Sequence, residues 1–143
     1  MPPLFTCNAD IERIGRGLLD RSLPKIEWNH AAHFAAAFWL LQDPRRDATR
    51  DMPMLIRAYN VATGVPNTDT GGYHETITLA SLRAARAWLA ERPKLALHAA
   101  LSELLASPYG RSGWPLEYWS KSVLFSPAAR RAWVDPNLQA LPF

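Results

Sequence analysis

Cysteine is nearly absent from this sequence, because Cys7 is the only one among its 143 residues. A single cysteine cannot form an internal disulfide, and no Cys-x-x-Cys pair is present. This favours a reducing compartment over a secreted, disulfide-stapled protein. Cys7 itself has no reactive partner in the sequence and is expected to be inert.

Long apolar runs are missing as well. The longest, residues 31–41, is far too short to span a bilayer. Residues 1–5 have neither the charged segment nor the apolar run of a signal peptide. The sequence therefore predicts a cytoplasmic protein without a membrane segment.

Strand patterns are scarce too. No run of alternating β-branched residues occurs, and only residues 73–79, with Thr76, Ile77 and Thr78, have competing β-propensity. Elsewhere, apolar residues recur at helical spacing between prolines, glycines and capping residues. With 48% hydrophobic and 20% charged residues, the composition is that of an ordinary globular domain. We predict one all-α domain over residues 1–143, a bundle-like array of six or seven helices.

Prolines, glycines and capping residues divide the chain into helical segments. The predicted ranges are 9–19, 27–41, 53–63, 73–91, 94–106, 115–124 and a last helix that begins after Ser126 and ends at Asp135. Asn8 or Asp10 is expected to cap the first helix and Asp51 the third. Pro53 suits a first helical turn, because its missing N–H would be unpaired there.

The positive charge is spread out. A net charge of +3 comes from thirteen arginines and three lysines, which are interleaved with acidic residues apart from the pairs at 45–46 and 130–131. This distribution is typical of a solvated surface, and no recognition motif accompanies it. Nucleic acid is therefore not predicted as a partner.

Three of the four histidines have informative positions. His30 and His33 lie three residues apart, so they are expected on one helix face, together with Phe34. His74 follows two glycines at the start of the long fourth helix, where neutral imidazole is favoured. We expect all three rings to face the interior, where each needs a partner or a ligand.

Three interpretations of these histidines stay open. They can be structural, with hydrogen bonds to groups such as Asn60, Thr78 or Ser81. They can bind a divalent metal such as zinc, nickel or iron, with an open coordination position and an oxygen ligand from Glu75, Glu27 or Asn60. The third interpretation is a pocket for an organic ligand without metal.

A pocket of this kind would recruit neighbouring polar residues. Glu75 is the predicted catalytic base, and Arg57 is placed to pair with an anionic group of a ligand. Tyr59, Asn60 and Tyr73 are predicted to complete the ligand-binding wall. The reaction class does not follow from these residues.

Aromatic residues suggest a different kind of function. Trp28 and Trp39 lie opposite His30 on the second helix, which indicates apolar contact on two sides. Either this helix is central, or one face meets another subunit.

The loop at residues 67–72 lacks the lysine and spacing of a P-loop, so we interpret it as a capped helix start.

Four segments resemble a group of uncharacterised bacterial all-helical proteins. These proteins share an aromatic-x-His-x-x-His element, a Tyr-His-x-Thr-Ile-Thr element and a Ser-Pro-x-Ala-Arg-x-x-Trp element. The matching segments are residues 28–33, 56–60, 72–78 and 126–133. The resemblance implies an all-α fold and marks the same three histidines, but it implies no activity.

A looser likeness is to DinB-type metal-binding helical bundles, in which three histidines from different helices hold a divalent metal. This chain departs from them, because His30 and His33 share one helix and the helices after His74 follow no four-helix plan.

Two hypotheses about function result from the sequence. The leading one is a cytoplasmic ligand-binding protein or metal-dependent enzyme with a three-histidine pocket. The other is a non-catalytic interaction module, a homodimer with structural histidines.

Overall fold

Seven α-helices and three short 3₁₀ turns make up the regular structure of the computed structural model, which describes residues 5–143. The helices are α1 (Asn8–Asp20), α2 (His30–Gln42), α3 (Ala48–Ala62), α4 (Glu75–Ala90), α5 (Leu97–Ala106), α6 (Lys121–Leu124) and α7 (Pro127–Arg131). No strand occurs in this part of the chain, so the predicted all-α class is confirmed. Residues 1–4, on which the signal-peptide prediction depended in part, lie outside the described residues.

Helix α2 is the centre of the array. It contacts α1, α3, α4 and α5. Its buried side chains are Ala32, Phe34, Ala35, Ala36, Ala37, Phe38, Trp39 and Leu40. Since α2 is surrounded on all sides, the apolar residues around it are accounted for by contacts within this chain. The homodimer remains a prediction, but this pattern no longer calls for one.

Two predicted helix starts are wrong because a cap lies elsewhere. Helix α3 begins five residues before Pro53, because Asp47 accepts a hydrogen bond from the Arg50 amide at 3.2 Å and acts as the cap instead of Asp51. Pro53 is tolerated inside the helix, where it forfeits one backbone bond. Helix α2 begins after Asn29, whose side chain accepts from the Ala32 amide at 2.9 Å.

The caps of α1 and the start of α5 also differ from the prediction. Cys7 is the N-cap residue of α1, and the Asp10 carboxylate accepts from the Cys7 amide at 3.3 Å. Asn8 instead accepts from the His98 amide at 2.9 Å, so it joins α1 to α5. Residues 94–96 precede α5 and are not helical. The predicted helix over 115–124 is a 3₁₀ turn, Trp114–Glu117, followed by the separate α6.

The C-terminal segment, residues 121–143, folds back over the start of α4. The Thr76 hydroxyl donates to the Ala132 carbonyl at 2.9 Å, and the Trp119 indole N–H donates to the Val134 carbonyl at 2.8 Å. Ser126 caps α7 as predicted, accepting from the Ala129 amide at 3.2 Å. None of the described helices has the length and apolarity that a bilayer crossing requires.

Candidate functional site

A cavity of about 410 Å³ lies among α2, α3, the start of α4 and the C-terminal segment. This volume is in the range of small-molecule sites. Its lining combines apolar walls with a few polar groups: Trp28, His33, Met52, Ile56, Asn60, Val65, Gly72, Tyr73, His74, Ile77, Thr78, Ser81, Phe125 and Arg130. Phe125 is 53% exposed and lies at the rim.

His33 is held in the cavity wall by stacking. Its ring lies against the Trp28 indole, with centroids 4.0 Å apart and planes 25° from parallel. Burial, reinforced by the nearby His30, lowers the pKa of His33 to about 4. No group in residues 5–143 forms a hydrogen bond with the His33 ring. The cavity therefore presents a neutral imidazole whose polar edge has no partner within the described chain.

Both ring nitrogens of His74 form hydrogen bonds that hold the structure together. It is the N-cap of α4, and its Nδ1 accepts from the Ile77 amide at 3.1 Å. Its Nε2–H donates to the Leu124 carbonyl at 2.7 Å. Burial, and to a lesser degree the charge of Arg130, lower the pKa of His74. The neutral ring with the proton on Nε2 satisfies both bonds, so His74 joins α4 to the C-terminal segment.

Arg130 brings a positive charge to the cavity without a carboxylate to balance it. Its Nη1 donates to the carbonyls of Gly72 and Tyr73, at 3.1 and 3.4 Å. Its Nε–H is buried and has no acceptor among the described residues, and no carboxylate there lies within ion-pair distance of the guanidinium. A buried donor without an acceptor is costly, so Arg130 retains unused hydrogen-bonding capacity beside the cavity.

The neighbouring Arg131 differs in this respect. Its guanidinium forms a two-pronged ion pair with Asp69, at 2.8 and 3.0 Å, on the exposed surface. The two arginines of one short helix therefore have separate roles, since one lines the cavity and the other joins α7 to the loop before α4.

Asn67 holds that loop in place. Its Oδ1 accepts from the Asn60 side chain and from the Tyr73 amide, both at 3.0 Å, and its Nδ2 donates to the Arg57 carbonyl at 3.1 Å. The predicted interpretation of residues 67–72 as a turn before a helix agrees with this geometry. The loop positions Asn60 and Tyr73 on one side of the cavity.

Tyr73 is enclosed by two charged neighbours. Its hydroxyl donates to the Glu75 carboxylate at 2.5 Å, and the Arg57 guanidinium lies over its ring, 4.4 Å from the centroid. Burial, followed by the bond to Glu75, raises the pKa of Tyr73 far above its ordinary value. Glu75 is thus engaged with Tyr73, and neither Glu75 nor Arg57 lines the cavity.

Of the eight predicted site residues, the cavity brings together four: His33, His74, Asn60 and Tyr73. Arg57 and Glu75 lie behind Tyr73. Tyr59 is fully buried and donates to the Leu23 carbonyl at 2.7 Å, so it supports the core beneath Trp28.

His30 does not line the cavity, although it lies near His33 on α2. Its Nε2–H donates to the Tyr109 carbonyl at 2.8 Å, and its ring meets Phe34 edge-on at 5.3 Å. His30 and His33 therefore have different contact partners, although they lie on the same helix. Three residues turn the helix by about 300°, so the two side chains are only about 60° apart around its axis. A central helix nevertheless has different neighbours at the two angles.

The three-histidine metal site stays a prediction, and the geometry gives it little support. Within residues 5–143, no three or more histidine, cysteine, aspartate or glutamate side chains are grouped so that they could hold a metal ion. His74 would have to break an existing hydrogen bond to become a ligand, and His30 could ligate only through Nδ1 while it keeps its bond to Tyr109. Of the three, only His33 has both ring nitrogens free of hydrogen bonds within the described chain.

Several lining residues were not identified from the sequence. Trp28 was assigned to packing, and Arg130 appeared only as half of an arginine pair. Ser81 was considered only as a hydrogen-bond partner for the histidines. The C-terminal segment reaches the cavity through contacts between distant parts of the chain, which helical spacing cannot reveal.

No protein family, no curated protein and no solved structure matches this chain. The geometry of the cavity is therefore the basis for any functional conclusion.

Proposed function

We propose that this protein binds a small organic carboxylate with a flat apolar body in the cavity between α3, α4 and the C-terminal segment. The observation that carries the proposal is that one cavity is lined by two polar groups with unused hydrogen-bonding capacity. Arg130 provides a cation without a carboxylate partner, and His33 provides a neutral imidazole without a hydrogen-bond partner.

The walls favour a flat apolar ligand body. Trp28, Ile56 and Ile77 contribute apolar surface to the lining, and Phe125 covers the rim. Ligand sites commonly combine apolar walls with a few polar groups that set orientation. A carboxylate bound by Arg130 would form a charge-assisted hydrogen bond, which is stronger than a neutral one.

Benzoate and benzamide make a suitable pair of test ligands. They have the same shape, but only benzoate carries a negative charge. Calorimetric titration of the untagged protein at pH 7 is expected to show saturable benzoate binding and at least about tenfold weaker benzamide binding, the ratio that a charge-assisted bond worth roughly 1.4 kcal/mol gives.

Arg130→Gln and Arg131→Gln are the matched variants. Both remove one positive charge from α7, but only Arg130 lines the cavity. We expect Arg130→Gln to abolish the preference for benzoate and Arg131→Gln to retain it. Equal benzoate affinity in the two variants, equal affinity for benzamide, or no binding at millimolar concentration would each contradict the proposal.

A further inference from the structure

A second cavity, of about 320 Å³, lies beyond the C-terminal end of α5. It shares no lining residue with the first cavity. Its walls come from the two 3₁₀ turns, Pro108–Gly110 and Trp114–Glu117, and the residues around them. Three aromatic residues, Tyr109, Trp114 and Tyr118, line it.

The three rings form a corner. Tyr109 and Trp114 meet with centroids 5.1 Å apart at 80°, and Trp114 and Tyr118 meet at 6.0 Å and 71°. Trp114 is 5% exposed, while both tyrosines are half-buried. Three aromatic residues therefore line one small cavity, and clusters of aromatic rings are the sites at which proteins recognise quaternary ammonium ligands.

The Tyr109 wall is fixed in position. The Ser107 hydroxyl accepts from the Tyr109 amide at 3.2 Å, and His30 donates to the Tyr109 carbonyl. Gly110 approaches the Leu105 backbone so closely that a Cβ there would collide with the Leu105 carbonyl. The turn that carries Tyr109 is thus held from both sides, so the aromatic corner is preorganised.

Two opposite charges lie at the same cavity. Arg111 and Glu117 both line it, yet within residues 5–143 neither side chain forms an ion pair or a hydrogen bond. The Glu117 carboxylate lies close enough to Tyr109 to interact with it electrostatically. Burial raises the pKa of Tyr109, and the neighbouring Tyr118 and the carboxylates of Glu91 and Glu117 raise it further. The aromatic corner therefore lies within the influence of the Glu117 carboxylate, and the unpaired Arg111 lines the same cavity.

We propose that this second cavity binds a methylated ammonium compound that also carries a carboxylate, such as a betaine. The methylated ammonium would occupy the aromatic corner near Glu117, and the carboxylate would pair with Arg111. A methylated ammonium suits this site better than a primary one, because it forms no strong hydrogen bonds with water and loses less on entering an aromatic cavity.

Three small molecules separate the parts of this proposal. Glycine betaine carries both charges, 3,3-dimethylbutanoate has the same shape and carboxylate without the positive charge, and tetramethylammonium has only the positive charge. Nuclear magnetic resonance titration, following the Trp114 indole signal assigned with Trp114→Phe, is expected to show saturable binding of betaine. We expect 3,3-dimethylbutanoate to bind at least about fivefold more weakly, the ratio that loss of one cation–π contact gives.

Two variants test the two charges. Glu117→Gln is expected to weaken both betaine and tetramethylammonium. Arg111→Gln is expected to weaken betaine and leave tetramethylammonium unchanged or slightly tighter. The distant exposed Glu12→Gln, which removes the same charge elsewhere, should leave both affinities unchanged, and so should Arg130→Gln, which tests the first cavity.

Three results would overturn the proposal: no saturable shift with betaine or tetramethylammonium, equal binding of 3,3-dimethylbutanoate, or an equal loss of betaine affinity in Glu117→Gln and Glu12→Gln. Since the two cavities have no residue in common, either site can fail while the other holds. The benzoate titration and the betaine titration therefore give separate answers.

Discussion

The indole of Trp28 stacks on the imidazole of His33, with ring centroids 4.0 Å apart and planes 25° from parallel. Trp28 lies just before α2 and His33 in its first turns, so the stack fixes the connection between the two segments and forms one wall of the larger cavity. An imidazole in this position is protonated only at a cost, because burial lowers its pKa to about 4.

His33 is expected to make the protein less stable in mild acid. Its pKa falls from 6.5 in the unfolded chain to about 4 in the folded protein, so between these values the unfolded state binds the proton more strongly. The stabilising contribution is thus complete above pH 6.5 and is lost as the pH falls toward 4, by up to about 3 kcal/mol. Urea unfolding between pH 4 and pH 7.5 measures it.

His33→Gln is the variant that isolates this effect. It retains a polar side chain of similar size that does not titrate, so the pH dependence of its unfolding should be shallower than that of the unchanged protein. His74, whose pKa is also lowered by burial, contributes in the same direction and remains in the variant. If the free energy of unfolding of His33→Gln depends on pH as steeply as that of the unchanged protein, His33 is not the group that resists protonation.

His74 is expected to contribute to stability through two hydrogen bonds. His74→Ala removes the cap of α4 and the bond to the Leu124 carbonyl, and should lower the free energy of unfolding by about 2 kcal/mol. His74→Asn keeps a capping oxygen and should lose only about half as much. Chemical denaturation at pH 7.5 compares them, and equal losses would mean that the cap contributes nothing.

Local signals in the sequence predict most of the helices, because they act within a few residues. Ser126 followed by proline marks the start of α7, and the Asp43-Pro44 pair marks the end of α2. The start of α3 was missed because Asp47 and Asp51 are both good caps, and only the packing of Ala48 and Met52 into the core selects the earlier one.

Gly72 is expected to be intolerant of a side chain. Its φ is +78°, and a Cβ there would lie 2.5 Å from the Pro66 carbonyl oxygen and 2.7 Å from Asn67 Oδ1. Gly72→Ala should therefore cost more than the roughly 1–2 kcal/mol of left-handed backbone alone. It should also weaken benzoate binding, since Asn67 positions the cavity wall.

Gly64 supplies the control for this prediction. Its φ is +81°, but a Cβ there meets no atom within 4 Å. Gly64→Ala should therefore show only the backbone cost, about 1–2 kcal/mol, and leave ligand binding unchanged. If the two variants unfold at the same urea concentration, the crowding around Gly72 is not significant for stability.

Thr76 is expected to be the most sensitive polar residue of α4. It is fully buried, and its hydroxyl donates to the Ala132 carbonyl and accepts from the Val134 amide at 3.2 Å. Thr76→Val keeps the shape but leaves both backbone groups without their partner, which should cost about 2–3 kcal/mol. Thr76→Ser keeps the hydroxyl and should cost about 1 kcal/mol through the lost methyl group. Thermal denaturation gives the order of stability of the two variants. A smaller loss of stability in Thr76→Val than in Thr76→Ser would contradict the role assigned to the hydroxyl.

The site was predicted only in part, for a reason that concerns α2. An amphipathic helix has one interior face, so residues three apart on it meet the same neighbours. Helix α2 is buried on every side, and therefore His33 faces Trp28 while His30 reaches Tyr109. Arg130 joins His33 and His74 only because the C-terminal segment folds back on α4, which no local pattern encodes.

Metal content is the most direct test of the three-histidine hypothesis. If His30, His33 and His74 held a divalent ion, the purified untagged protein would contain near-stoichiometric zinc, nickel or iron, and each single alanine variant would lose it. We expect far less than one equivalent by plasma mass spectrometry, because His74 has already committed both nitrogens and His30 has committed one to hydrogen bonds. A stoichiometric metal lost in all three variants would show that a His74 hydrogen bond breaks on binding, and would replace the carboxylate proposal with a metal centre.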